Sequence, residues 1–321
     1  MSHWNLPPKG GYMEAPKKMY YQTMTKLDVQ ERLKKDDVII IPVGSTENHG
    51  AAGPIGEDTF MVTRIAEMVA EKTGCTVAEP FWYGSHPFHH IGQPCTIPLP
   101  DSVFIDMLRA VITGFWNTGF RKQIFISLHG QEYSLPVALQ EWGKKYQVPA
   151  MLFFVDIPRV MGQTLMDKAH GGPYDRPFQH ACEAEQSLSL ALFPELCQQD
   201  KAENTDTKGF LPAGHVDRGG DIYGNPIPGH CQVGNCGIEC VTFPEGVLGH
   251  AKDADPKKAV ASIEKTCDYL VKLHDDILEA FPAGKLPPAE LMSQRDPKEI
   301  ELLLKGPLNG GRHIYTLGWP T

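Results

Sequence analysis

The sequence predicts an α/β fold: a mostly parallel sheet flanked by helices on both faces. Three observations predict it. Unbroken apolar runs of strand length recur without polar alternation, the pattern of strands buried on both faces. Between them lie segments whose apolar residues return at helical spacing. Strand and helix alternate at the spacing of βαβ units, whose crossovers make successive strands parallel.

Asp37-Val38-Ile39-Ile40-Ile41-Pro42-Val43-Gly44 reads as the first buried strand, ended by Gly. Phe60, Met61, Ile65, Met68 and Val69 give a helix over 57–73. Cys75–Ala78 is a short strand. Ile105, Leu108, Ile112 and Phe115 mark a helix from Asp101 to about Thr118, opened by Pro100 or Asp101. Gln123–Leu128 is a strand, 134–146 a helix, and Ala150–Val155 a fourth strand. Residues 181–193 form a helix ended by Phe193-Pro194. Residues 203–249 are rich in Gly, Pro, Asn and Asp and read as long loops with a strand at Gly237–Phe243. Helical period returns over 256–281. We read the chain as one domain, 1–321, with a core of about 36–280 and terminal arms at 1–35 and 281–321.

Charge and composition exclude several classes. A net charge of −9, from 39 acidic and 30 basic residues, argues against a nucleic-acid partner, which clustered Lys and Arg would hold. No apolar run reaches the roughly 18 residues that a membrane helix needs. The chain opens without a basic-then-apolar leader, so a cytoplasmic location is expected. Eight cysteines are too few and too scattered for a secreted disulfide scaffold. Cys231, Cys236 and Cys240, beside His230, read either as a structural zinc site or as buried free thiols, since their spacing is not the usual C-x2-C.

In sheets of this kind ligands bind at the carboxyl ends of the strands, and polar clusters stand there. Glu47 and His49 follow the first strand; two residues apart, they share a face if extended. Asp58 starts the next helix, where its carboxylate can point back at the strand ends. Carboxylate oxygen with imidazole nitrogen suits a divalent metal, and an Asp can bridge two ions. Loop polar residues and an N-cap are the plainer alternative. His129 follows the third strand and precedes Gly130, where the chain can turn sharply. His180 and Glu185 could face the same site from the start of the helix at 181. Acidic residues such as Glu183 in that first turn also serve as ordinary dipole complements. In the loop 83–96, His86, His89, His90 and Gln93 are candidates to bind the hydroxyl groups of a substrate, or to hold a metal themselves, or to be ordinary loop residues. Gln131 is counted among the candidate substrate contacts.

Together these segments resemble the creatininase (creatinine amidohydrolase) family of metal-dependent hydrolases, over roughly residues 36–280. The family's first motif, a Pro-hydrophobic-Gly strand end, then Glu-x-His-Gly and a later Asp, appears as Pro42-Val43-Gly44-Ser45-Thr46-Glu47-Asn48-His49-Gly50 with Asp58. Its Asn-Gly-His-Gly is Ser127-Leu128-His129-Gly130 here. Its His-Ala-Gly-Glu-x-Glu-Thr-Ser is His180-Ala181-Cys182-Glu183-Ala184-Glu185-Gln186-Ser187. Pro244–Gly249 is similar to its Gly-Val-hydrophobic-Gly turn, and in the loop ending Phe-Pro-Gly-Thr, Cys95 stands for the Gly.

The resemblance implies that Glu47, Asp58 and His129 hold one divalent ion and His49 with Asp58 a second, the ions being zinc and/or manganese. Creatininase completes its second site with a Glu two residues beyond the ligating His. That place is Gln131 here, leaving Glu132, Glu185 or water as the last ligand. His180 matches the family's proton-transfer histidine. The implied protein is a homo-oligomeric hydrolase that opens a small cyclic substrate with metal-activated water. One branch of the family opens 3-dehydro-scyllo-inosose, hydrating a carbonyl and cleaving a carbon–carbon bond. The absence of Trp between 150 and 180, where creatininase uses two, favours such a hydroxylated ring ketone. A cyclic amide such as creatinine is the alternative. A metal-binding relative without activity is a further one, because Ser127-Leu128 and Cys182 depart from the motifs.

Overall fold

The protein is described from a computed structural model, over residues 19–87, 90–206 and 245–317. Its elements run, in chain order, α1 (Lys26–Leu33), β1 (Val38–Pro42), α2 (Glu57–Thr73), β2 (Thr76–Val77), α3 (Asp101–Thr118), β3 (Lys122–Ser127), α4 (Ser134–Tyr146), β4 (Met151–Asp156), α5 (Ile157–Met161), α6 (Glu183–Leu192), β5 (Asn204–Thr205), β6 (Gly249–His250), α7 (Pro256–Ala280), α8 (Ala289–Met292) and α9 (Pro297–Lys305). The expected strand at Gly237–Phe243, and Cys231, Cys236 and Cys240, lie outside the described residues.

The main sheet has the order β2-β1-β3-β4, and every pair in it is parallel. β1 is buried along its whole length because helices cover both faces. Val38, Ile40, Ile124, Ile126 and Val155 point into one apolar layer with α2, α5, α6 and α7. Ile39, Ile41, Val43 and Phe125 alternate into the other, with α3, α4 and α9. The predicted architecture is therefore observed. A short antiparallel pair, β5-β6, stands apart from it.

Three differences from the sequence reading have local causes. β4 is the sheet edge, so Met151–Phe154 are half-buried rather than enclosed. α6 begins at Glu183, not 181, because Ala181 has φ +48° and Cys182 is extended. The described parts of the terminal segments are packed in: Tyr20 joins the first apolar layer, and Val29, Ile300 and Leu303 join the second. Thr25 and Asp28 close α1 with a reciprocal capping box.

One buried ion pair fastens the far end of the sheet. Lys122 Nζ lies 2.6 Å from Asp37 Oδ1 and also donates to the carbonyls of Phe281 (2.6 Å) and Pro282 (3.1 Å). It joins β3, the start of β1 and the end of α7. Among the described residues no helix is long and apolar enough to cross a membrane.

Candidate metal centre

Beyond β1 the chain runs against the first turn of α2. A Cβ on Gly44 would lie 2.4 Å from Thr59 Cα and 2.6 Å from its backbone nitrogen, so only glycine fits there. This approach brings Asp58 over the strand end, where Ser45 Oγ donates to its Oδ2 at 2.7 Å. The loop 83–97 is stitched alongside: Ile97 N donates to the Thr46 carbonyl and Asn48 N to Thr96 Oγ1.

Glu47 sits in the middle, among five imidazoles. Its Oε1 is 3.0 Å from His129 Nδ1, 3.6 Å from His180 Nδ1 and 3.7 Å from His49 Nε2. Its Oε2 accepts a hydrogen bond from His90 Nδ1 at 2.6 Å and lies 3.6 Å from His86 Nε2. All these side chains are buried; His180, at 10% exposure, is the least so.

Four of the histidines are oriented by main-chain carbonyls. His49 Nδ1 bonds to Glu47 O, His86 Nδ1 to Gly84 O, His129 Nε2 to Ser85 O and His180 Nε2 to Asn48 O. A carbonyl only accepts, so each of these nitrogens carries the proton, and in the neutral ring the other nitrogen offers a lone pair to the cluster. Metal-ligating histidines are oriented in this way.

Asp58 divides its oxygens. Oδ2 lies 3.3 Å from His129 Nδ1, and Oδ1 faces His49 Nε2 at 3.8 Å. Three sets of donor atoms lie close enough to share an ion: Glu47, His86 and His129; Glu47, His49 and His180; and His49, Glu57 and Glu185. Glu185 also accepts a hydrogen bond from Ala181 N. His49 Nε2, Asp58 Oδ1, His86 Nε2 and both Glu57 oxygens are buried without a hydrogen-bond partner. Such atoms are costly to leave unpaired. Their chemistry, carboxylate and imidazole only, fits divalent cations.

The charges fit the same reading. Burial opposes ionisation of Glu47, yet His129, His90 and His180 hold its carboxyl well below the usual range. Burial and neighbouring Glu185 push Glu57 well up, and burial with Asp58 does the same to Glu185. Burial and His129 bring His86 down to about 3. Burial lowers His90 and His180, while burial resists and Glu47 and Asp58 overcome it to raise His129 well above normal. Glu57, Glu185, His86, His90 and His180 are crowded groups that a bound cation would relieve, and His129 holds its proton against two carboxylates, where a cation would take the proton's place.

The fold thus gathers Glu47, His49, Asp58, His86, His90, His129, His180 and Glu185 from five stretches of chain. Gln131 reaches the strand ends but commits its amide Nε2 to the carbonyls of Val43 and Gly44 and to Ser127 Oγ. Glu132 stands by Asp156, whose carboxyl burial and Glu132 push up to about 6. Glu183 is tied to Lys258 and to Asp175 N, outside the cluster. His89 lies outside the described residues. Glu57 is the residue that sequence reasoning missed: a first-turn acid reads as a dipole complement, and only its burial marks it.

A parallel sheet with this donor cluster at its carboxyl end defines an α/β protein whose site is suited to divalent metal. The creatininase family model, described as creatinine amidohydrolase, matches residues 22–274, and the chain belongs to that family of metal-dependent hydrolases. It is 55% identical to the 3-dehydro-scyllo-inosose hydrolase of Thermotoga maritima over 307 residues, covering 95% of this chain and 99% of that protein. Against the creatinine amidohydrolase of Pseudomonas putida it is 24% identical over 218 residues, 61% of this chain and 80% of that one. A solved creatininase structure labelled Mn superposes with TM-score 0.62 at 20% identity, covering 85% of this chain and 100% of the other.

Proposed function

We propose that this enzyme hydrolyses a hydroxylated six-membered ring ketone of the 3-dehydro-scyllo-inosose type, cleaving a ring carbon–carbon bond. The observation that carries the reading is the 55% identity to the Thermotoga hydrolase across nearly the whole of both chains. The relation to the creatinine amidohydrolase is much weaker. Trp116 cannot stand in for a stacking residue at the site, because it is buried in the second apolar layer with its Nε1 on the Pro149 carbonyl.

In this reading Glu47, Asp58 and His129 would hold one divalent ion, and His49, Asp58 and Glu185 a second, zinc and/or manganese, Asp58 being shared. Bound there, such ions lower the pKa of a water molecule and polarise a carbonyl oxygen. The water oxygen joins the carbonyl carbon, and the adjacent ring bond breaks. The electron pair of that bond passes to the neighbouring carbon, which takes a proton, leaving an open-chain carboxylate. His180 Nδ1 faces the cluster while Nε2 is held by Asn48 O, so Nδ1 is placed to carry that proton. His90 and the loop around it would meet the substrate hydroxyls. We read the chain as a single domain acting in the cytoplasm as a homo-oligomer.

The test is a side-by-side assay of 3-dehydro-scyllo-inosose, creatinine and a formamide with metal-replete enzyme. Turnover of the inosose derivative, lost on chelation and restored by Zn²⁺ or Mn²⁺, is expected. Fast turnover of creatinine alone would overturn the substrate, and turnover of none would favour a non-catalytic relative.

A further inference from the structure

We propose that His86 is a metal ligand, its Nε2 completing with Glu47, Asp58 and His129 the four-donor set of one ion. This rests on the metal-dependent reading above and names a ligand that the sequence motifs do not contain.

His86 Nδ1 donates to Gly84 O at 3.1 Å, which leaves Nε2 as an acceptor. That nitrogen faces Glu47 Oε2 at 3.6 Å, fully buried and without any donor nearby. Two acceptors confronting each other in a dry interior repel, and of the pair only Glu47 Oε2 has a donor, His90 Nδ1, while His86 Nε2 has none. A cation between them would remove the repulsion and satisfy the His86 nitrogen. One donor atom each from Glu47, His86 and His129 lie within 4.8 Å of one another, close enough to surround a single ion. Asp58 Oδ2 is beside the same His129 nitrogen at 3.3 Å. Three or four ligands of this mixture form the usual first shell of a zinc-type ion.

The position that carries a ligating Glu in creatininase is Gln131 here, and its amide is turned away. Its Nε2 is spent on Gly44 O, Val43 O and Ser127 Oγ. Its Oε1 lies against Gly84, where a Cβ would approach it to 2.6 Å. Gly84 therefore separates the two side chains: Gln131 rests on its α-carbon while its carbonyl orients His86. A hydrogen bond to a substrate hydroxyl is the competing role, but the His86 side chain has no exposed surface to offer.

The experiment uses the full-length enzyme loaded with Zn²⁺ or Co²⁺ and three variants, His86→Asn, His86→Ala and His90→Ala. Asn keeps a donor for Gly84 O while deleting Nε2, so it separates the ligand atom from the anchoring bond. Metal content after dialysis, chelator-competition affinity and the Co²⁺ absorption spectrum are read, with circular dichroism for folding. Losing even an outer-shell partner of a ligand weakens metal binding about 10–100-fold, so His86→Asn should lose at least that for one ion. Its Co²⁺ spectrum should change while the second ion stays bound. His86→Ala should lose the same ion, whereas His90→Ala, which leaves the His86 nitrogen in place, should keep both. If His86→Asn binds both ions as the wild type does, with an unchanged Co²⁺ spectrum and only a raised KM, His86 is a substrate contact and the proposal is wrong. If the wild type itself takes up no metal, the metal-dependent reading fails first and this one with it.

Discussion

His129 Nδ1 lies 3.3 Å from Asp58 Oδ2, which leaves the other carboxylate oxygen, Oδ1, turned to His49 Nε2. One carboxylate thus addresses two histidines from two strand ends. Oδ1 has no other partner, and burial would raise its acid but for His129 and His49. In the proposed two-ion reading, this is the carboxylate that would serve both ions at once.

Asp58→Ala should therefore reduce bound metal below one ion per chain and abolish turnover. His49→Ala should lose only the ion on its own side, together with activity. Elemental analysis of purified, folded variants decides the matter. Full metal content in Asp58→Ala would remove the bridging role.

His180→Ala is expected to keep its metal and lose turnover by roughly 10²–10⁴. The ring is held at Nε2 by Asn48 O, and its centroid is 4.6 Å from that of His49 and 4.6 Å from that of His90. It is also the least buried imidazole of the group. Parallel metal analysis and steady-state kinetics check this. If the variant instead loses an ion, His180 is a ligand; if it turns over at the wild-type rate, the proton-transfer assignment is wrong.

Much of this fold was legible because the strands are buried on both faces. Val38–Pro42 could be read directly, since nothing polar interrupts it. The start of α6 could not, because Ala181 takes a positive φ that a glycine would have announced. Cys95 also has positive φ, and it stands where the family's loop has Gly. The ligand candidates at strand ends, Glu47, His49, Asp58 and His129, followed from topology and motif. Glu57 did not, and the sequence reads His86 first as a contact for substrate hydroxyls, with metal binding as its alternative. His86 meets Glu47 only because the loop 83–97 is stitched across the strand ends, a contact that no spacing in the sequence encodes. Glu57 is marked by its burial within reach of His49 and Glu185, which its place in a first turn does not announce.

Asp37→Ala should destabilise the protein by about 3–5 kcal/mol, because it leaves the Lys122 ammonium buried without its counter-charge. Lys122 is wholly inaccessible, and Asp37 is nearly so. The two carbonyls on Nζ satisfy its donors but not its charge. Lys122→Met with Asp37→Leu, which removes both charges, should cost much less than either single loss. Denaturant unfolding of metal-free protein measures the difference. Equal losses for the single and double variants would show that packing rather than charge dominates.

His274 makes stability depend on pH away from the metal cluster. Its Nε2 lies 3.1 Å from Asp36 Oδ2 and its Nδ1 2.8 Å from Asp275 Oδ1, tying α7 to the segment before β1. Burial works against the imidazolium, but the hydrogen bonds to Asp36 and Asp275 outweigh it and raise its pKa above the usual value. A raised histidine binds its proton more tightly when folded than when unfolded. Its contribution is therefore complete below the unfolded pKa, about 6.5, and is lost as pH rises through the higher folded value. His274→Gln should cost about 1–2 kcal/mol at pH 5.5, as charged hydrogen bonds do when one partner is partly exposed. At pH 9 the difference from wild type should shrink towards that of a neutral substitution. Thermal unfolding of both proteins at the two pH values gives the comparison, and contributions from the metal cluster cancel in each difference. A cost that is the same at pH 5.5 and pH 9 would mean that His274 is neutral in the folded protein throughout.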